Sequence, residues 1–355
     1  VDLLWWQGEL EEGETYLEFV DGNPTSAEIA DNVPLAMVDG GKLDDQGYAY
    51  FHVRENMPSY GNAGLALYDE NGTILWTWHI WFISNEQNAT LGDYIVMSRN
   101  LGATYSPYSA AGDFSLPESS TEETYGFYYQ WGRKDPLFGP GKWCRKSGGT
   151  WKVEDWSEGP DKAPATTLSE VMSNPLHFYT SSNQWWQTTY TPGTDMIQEI
   201  RNFWGYVGRQ DGGQNFVKTM YDPCPPGYRI INNLAFESAG MCQSVEEKEF
   251  SLSFDNYSLS QSGIRVDGND DVTSTYINGG NVSAQMLWLP NSGMIDSSGN
   301  YIQQGSNGYL NTATPNKSGQ QMRNIQWYPG DSSYQISQNG QSYHIPARPV
   351  RCQKE

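Results

Sequence analysis

Four cysteines, four histidines, the tandem tryptophan Trp185-Trp186 and one acidic turn are the residues of this chain best suited by type to carry chemistry. Cys144, Cys224, Cys242 and Cys352 include no C-x-x-C pair, and His52, His79, His177 and His344 show neither an H-E-x-x-H nor an i,i+4 spacing. A zinc site needs several such ligands at short spacing, so metal explains the cysteines poorly. Disulfides in an oxidising compartment explain them better, and four cysteines leave three pairings open. Asp267, Asp270 and Asp271 flank Gly268-Asn269 and offer oxygen ligands to calcium, without the spacing of an EF-hand loop. Glu246, Glu247 and Glu249 read as a solvated face. Carboxylates are numerous enough to place a glycosidase pair at roughly 5–10 Å, but no spacing singles one out. A Gly-x-Ser-x-Gly elbow and a Gly-rich phosphate loop are both absent.

Trp185-Trp186 sit beside Asn183, Gln184 and Gln187 in a stretch without strand alternation. An exposed indole stacks on the C–H face of a pyranose while nearby amides bond its hydroxyls. Asn183, Trp185 and Trp186 are therefore the candidate ligand-binding residues. Trp143, Trp151 and Trp156 lie in the adjoining Gly-, Trp- and Pro-rich insertion, residues 140–182. They either extend that surface or form a satellite core under a long insertion.

These groups must be positioned by a scaffold, and one stretch organises it: Tyr221-Asp222-Pro223-Cys224-Pro225-Pro226-Gly227-Tyr228-Arg229-Ile230. Three prolines fix φ and remove three backbone donors, which excludes helix interior and central strand. Gly227 permits a reversal before the apolar step Tyr228–Ile231.

This stretch, the later Trp288-Leu289-Pro290-Asn291-Ser292-Gly293 and the terminal Arg348-Pro349-Val350-Arg351-Cys352 occur in one order. With Asn100–Thr104 (NLGAT) and Tyr125–Phe138 (YGFYYQWGRKDPLF), they resemble the FISUMP-type paralogous domains of Bacteroidetes and Fibrobacter surface proteins. The resemblance covers residues 92–355. It implies a fold similar to C-type-lectin-like and formylglycine-generating-enzyme-like domains, a cell-surface location, and Cys224–Cys352 as the structural disulfide, leaving Cys144 with Cys242. The tripeptides with which C-type lectins bridge sugar through calcium are not present. The catalytic cysteine pair of the formylglycine-generating enzymes is not recognisable either.

Forty-two acidic against 21 basic residues give a net charge of −21, which argues against nucleic-acid phosphate and anionic membrane as partners. Fourteen Trp, 23 Tyr, 37 Gly and 19 Pro, with no long helical tract, favour a β-rich, loop-rich protein built on large rings. No apolar run reaches the length of a spanning helix. The chain starts at Val1 and reads as a mature or trimmed form, any lipid anchor lying on a segment not present here. Asp69-Glu70-Asn71-Gly72 between apolar runs predicts a hairpin. Thr73–Ile83 is apolar on both alternating faces and predicts a central, doubly buried strand. Tyr48–Val53 predicts a further strand, Asn233–Gly240 a short helix and Thr166–Asn174 a helical turn.

The expected fold is mainly β with an α+β part. Residues 1–83 form a short pilin- or Ig-like β-sandwich, possessing fewer residues than such a sandwich needs and so short of a strand that an upstream segment or a neighbouring subunit supplies. Residues 84–91 form a linker, and residues 92–355 the C-type-lectin-like module. The expected function is a non-enzymatic fimbrial-tip or outer-membrane adhesin for a glycan or protein ligand, with no cofactor other than possible calcium. A structural subunit joined by strand addition and an extracellular polysaccharide-active enzyme are the alternatives.

Overall fold

The computed structural model describes residues 2–7, 38–43, 46, 49–53, 61–83, 88–108, 115, 122–147, 150–180, 203–206, 216–241, 250–252, 263–266, 275–277, 280–282, 284–285, 287–315, 322–329, 334–337 and 345–355. The fold is mainly β, in several largely antiparallel sheets with few helices. The two helices described in full are each a turn and a half, and each is capped as its sequence dictates. Thr167 and Glu170 form a capping box on Leu168–Ser173, and the Asn232 side chain accepts the Ala235 N–H at the start of Asn233–Ser238.

Five strands form an N-terminal sheet in the order Thr150–Asp155, Lys142–Ser147, Asp2–Gln7, Gly61–Tyr68, Ile74–Phe82. Its hairpin is the one that Asn-Gly predicts: the Asp69 carboxylate accepts the N–H groups of Asn71 (2.9 Å) and Thr73 (2.7 Å), and Gly72 takes φ +80°. The central strand is Asp2–Gln7, with Leu3 to Gln7 all buried. Trp5 lies flat over Gly64 on the neighbouring strand, where a Cβ would stand 2.2 Å from the ring nitrogen, so only glycine fits.

Two expectations change here. Ile74–Phe82 is an edge strand among the described residues, half-buried rather than enclosed, with Leu75 53% exposed. Apolar residues on both of its faces serve two different layers. Trp78, Ile80 and Phe82 pack with Leu3, Trp6 and Leu65, while Ile74 and Trp81 join the larger core. Nor, among the described residues, does the sheet begun by residues 1–83 stay within them. The insertion adds strands to this sheet, where Trp6 pairs with Cys144 and Gln7 with Trp143. Asn88–Leu91, at the end of the expected linker, is a strand of the next sheet. Leu4, Trp5 and Ala66 share one buried cluster with Met97, Phe127, Trp131 and Cys352, so the core is continuous across residues 84–91.

That next sheet brings the proline turn to the C-terminus. Its order is Tyr228–Ile230, Cys352–Lys354, Tyr94–Met97, Asn88–Leu91, Ala284–Gln285. Ile230 pairs with Cys352, and the Cys224–Cys352 disulfide forms with the Cα atoms 5.7 Å apart. Cys144 is a free, fully buried thiol facing Leu3, Trp6 and Leu65, so the expected bridge to Cys242 is not part of this structure. Cys144 belongs to a strand inside the sheet and faces its apolar layer. Cys242 lies outside the described residues.

The motifs that carried the resemblance are interlocks between rings, amides and main chain. Arg351 is fully buried and donates to Asn100 Oδ1 (3.1 and 3.0 Å) and to Trp288 O (2.6 Å). Asn100 Nδ2 donates to Tyr125 O, and Trp327 Nε1 to Asn291 Oδ1. Gln130 bonds Tyr179 O and Ile345 O, and Arg133 bonds Gln130 Oε1, His177 O and Pro175 O. Each of these side chains is thereby hydrogen-bonded within the core, which offsets much of the cost of burying it.

Residues 1–83 expressed alone are expected to show no cooperative unfolding transition, because the central strand loses its Lys142–Ser147 neighbour; a sharp calorimetric transition in that fragment would contradict the shared sheet. Replacing both Cys224 and Cys352 by Ala opens a loop spanning a sequence separation of 128 residues and should lower stability by about 3–5 kcal/mol, read from urea unfolding.

Candidate functional site

An open cleft of about 510 Å³ runs between the edge strand Ile74–Phe82 and the proline turn. One wall is Trp76, Thr77, Trp78, His79, Ile80, Trp81 and Ile83; the other is Met220, Asp222, Pro223, Cys224, Pro225, Pro226 and Tyr228. Met97, Leu101 and Lys134 complete the lining. Successive residues of a strand point to opposite faces, so a cleft over one face touches every second residue. Six consecutive residues line this one. Main chain as well as side chains of the strand therefore border it, and no strand pairs with the outer edge of Ile74–Phe82 among the described residues.

The far wall is built by one carboxylate. Asp222 Oδ1 accepts the Cys224 N–H (2.9 Å) and the Lys218 ammonium (2.9 Å), and Oδ2 accepts the Ile230 N–H (2.8 Å). Lys218 also donates to Cys224 O at 2.6 Å. Burial raises the pKa of Asp222, and the Lys218 charge with the two amides acts against that. Gly227 closes the reversal at φ +80°, and its carbonyl accepts the Glu355 N–H.

The near wall rests on a second buried pair. Lys134 donates to Asp135 Oδ1 (2.6 Å) and to Thr77 O (3.2 Å), bonds Thr77 Oγ1, and lies 4.5 Å from the centre of the Trp76 ring. Burial lowers the Lys134 pKa and the Asp135 charge opposes it. Trp76 meets Tyr221 across the cleft at 6.1 Å. His79 Nε2 is 2.8 Å from Asn62 Oδ1, and its ring is enclosed by Trp5 and Phe127. Burial pushes its pKa down to about 3, so it stands neutral. Trp81 Nε1 donates to Ala103 O, and the Tyr228 hydroxyl to Asn88 Oδ1.

Thr77, His79, Trp81, Lys134, Asp222 and Tyr228 are thus all bonded to the protein itself. Apolar surface remains toward the cleft, together with the main-chain edge of one strand. Met220, at the rim, is 66% exposed.

Of the residues singled out from sequence, Asn183, Trp185 and Trp186 lie outside the described residues, as do Asp267, Asp270 and Asp271. Trp143 belongs to the core: it is fully buried, its Nε1 donates to Gly139 O, and its ring meets Phe138 at 3.9 Å and Trp5 at 4.9 Å. Trp156 is half-buried against Tyr301. Among the described residues no group of three or more His, Cys, Asp or Glu is placed to hold a metal ion. No helix among them is long and apolar enough to cross a membrane. Compared with protein-family models, curated proteins and solved structures, the chain matches none.

The neutral His79 makes stability depend on pH. Its pKa is about 3 when folded and about 6.5 when the chain is unfolded, so only the unfolded state takes up the proton between those values. Its contribution to stability is lost as pH falls from about 6.5 toward 3, at no more than about 1.4 kcal/mol per pH unit. His79→Gln should flatten the wild-type loss between pH 7 and 5 by about 1–2 kcal/mol in urea titrations at the two pH values. Parallel losses in both proteins would contradict the neutral ring.

Proposed function

We propose that this chain is a non-enzymatic surface protein that binds a ligand in the cleft between the Ile74–Phe82 edge and the proline turn. The observation that carries the reading is the state of the cleft's polar side chains. Each of the six named above is bonded within the protein, so what the described lining turns toward the cavity is mainly apolar surface. Such a lining recognises shape and apolar surface.

The resemblance to surface-protein domains supports an extracellular site, on a fimbria or at the outer membrane. The Cys224–Cys352 bridge fits an oxidising compartment. A net charge of −21 disfavours nucleic acid and anionic lipid as the ligand. The ligand is a glycan or a protein of a host or microbial surface, or another subunit of a surface assembly.

The test is a binding screen of the purified chain against a glycan array, mucins and a peptide library, run with calcium and with EDTA. Saturable binding that survives EDTA and falls at least about tenfold in Met220→Glu is expected. The Trp185→Ala/Trp186→Ala double variant should keep it. Binding lost in that double variant and retained in Met220→Glu would place the site on the tandem tryptophan instead. Turnover of a polysaccharide in the same screen would contradict the non-enzymatic reading.

A further inference from the structure

We infer that the occupant of this cleft is an extended, uncharged polypeptide segment of another protein, added as a strand along Ile74–Phe82. This deepens the binding reading above and rests on it.

Three features select a polypeptide. First, the cleft tracks a strand edge over the consecutive residues Trp76–Trp81, and a strand edge presents a row of main-chain N–H and C=O groups at regular spacing. Only a second extended main chain matches that row. Second, a sugar ring requires several side-chain donors and acceptors around its hydroxyls. Here Thr77, His79, Trp81, Lys134, Asp222 and Tyr228 are bonded elsewhere. Third, the walls are Trp, Ile, Met and Pro surface, which suits the bulky alternate side chains of a strand.

Charge selects its composition. The two ions in the lining are each neutralised within the protein, Lys134 by Asp135 and Asp222 by Lys218. A charge on the segment lying between them would lose its hydration and meet no free counter-ion. The segment inside the cleft is therefore neutral and apolar. The surrounding protein carries −21, so basic residues belong on its flanks rather than acidic ones.

Lys134 also has a place in this arrangement. Its ammonium bonds the Thr77 carbonyl and hydroxyl from beside the strand. A lysine set against an edge is a common guard against indiscriminate pairing, and here it limits the strand length open to an incoming segment.

The probe is a synthetic library of peptides about eight residues long, alternating Val, Ile, Leu or Thr with Ser or Asn. Each is also made with N-methyl groups on alternate amides, in both phases, and with Lys-Lys or Glu-Glu flanks. The full chain, Met220→Glu and Thr77→Val are titrated by fluorescence anisotropy, beside an oligosaccharide panel. The expected result is saturable peptide binding. N-methylation in one phase should weaken it at least about tenfold and in the other phase leave it unchanged, because only alternate amides face the partner strand. Lys flanks should bind tighter than Glu flanks, and Met220→Glu should lose binding.

Equal sensitivity to both methylation phases, or binding of oligosaccharides alone with the same loss in Met220→Glu, overturns the strand inference while the cleft remains a binding site. Binding of any probe that Met220→Glu leaves unchanged, or no binding at all, overturns both. Concentration-dependent self-association that Met220→Glu removes assigns the edge to a second copy of this chain and overturns the partner named here.

Discussion

A buried carboxylate in a stretch that cannot form regular structure is the constraint on which much of this molecule depends. Three prolines leave the stretch 222–227 with few donors, and Asp222 collects the Cys224 and Ile230 N–H groups together with the Lys218 ammonium. That fixes where Cys224 points, and so where Cys352 can be reached. It also starts the short strand Tyr228–Ile230, to which Cys352–Lys354 must pair. The chain end is thereby carried into a sheet shared with Tyr94–Met97, and Arg351 is placed to tie Asn100 to Trp288 O. The same turn forms one wall of the cleft, so the tie that closes the fold also shapes the surface left open.

The N-terminal sheet follows a second logic. Its central strand Leu3-Leu4-Trp5-Trp6 is too apolar on both faces to stay at an edge. Gly61–Tyr68 covers one side, and Lys142–Ser147 from the insertion covers the other. Among the described residues Ile74–Phe82 is then left outermost. Its apolar residues are divided between a layer with Leu3 and Trp6, a layer with the main core, and the cleft. An edge strand with this composition is hazardous unless it is guarded or used.

Local chemistry was legible in the sequence wherever neighbours in the chain decide the outcome. The Asn71-Gly72 hairpin, the helical turn within Thr166–Asn174, the short helix within Asn233–Gly240 and the proline turn all form as their residues dictate. The Cys224–Cys352 pair followed from the resemblance and is present. Long-range placement was not legible. Alternation along Thr73–Ile83 reports that both faces are apolar, and cannot distinguish a strand flanked by two neighbours from one flanked by a single neighbour and a cleft. The pairing of Gln7 with Trp143 crosses more than a hundred residues and leaves no periodic trace. The cleft itself combines Trp76 to Trp81 with Pro223 to Pro226, two stretches each readable as core or turn. Their meeting is a property of topology. The tandem tryptophan Trp185-Trp186 and the acidic turn at Asp267–Asp271 stand out by composition, and composition alone says nothing about which other segment lies opposite.

The account turns on the outer edge of Ile74–Phe82 being open in the free chain. Amide hydrogen exchange along residues 74–82, resolved residue by residue in the unliganded full chain, tests this most directly. The account predicts alternation: slow exchange at amides directed to the Gly61–Tyr68 strand, and fast exchange at those between them. Uniformly slow exchange along the strand would mean that its outer edge is already paired or covered, and would contradict a cleft that waits for a partner strand.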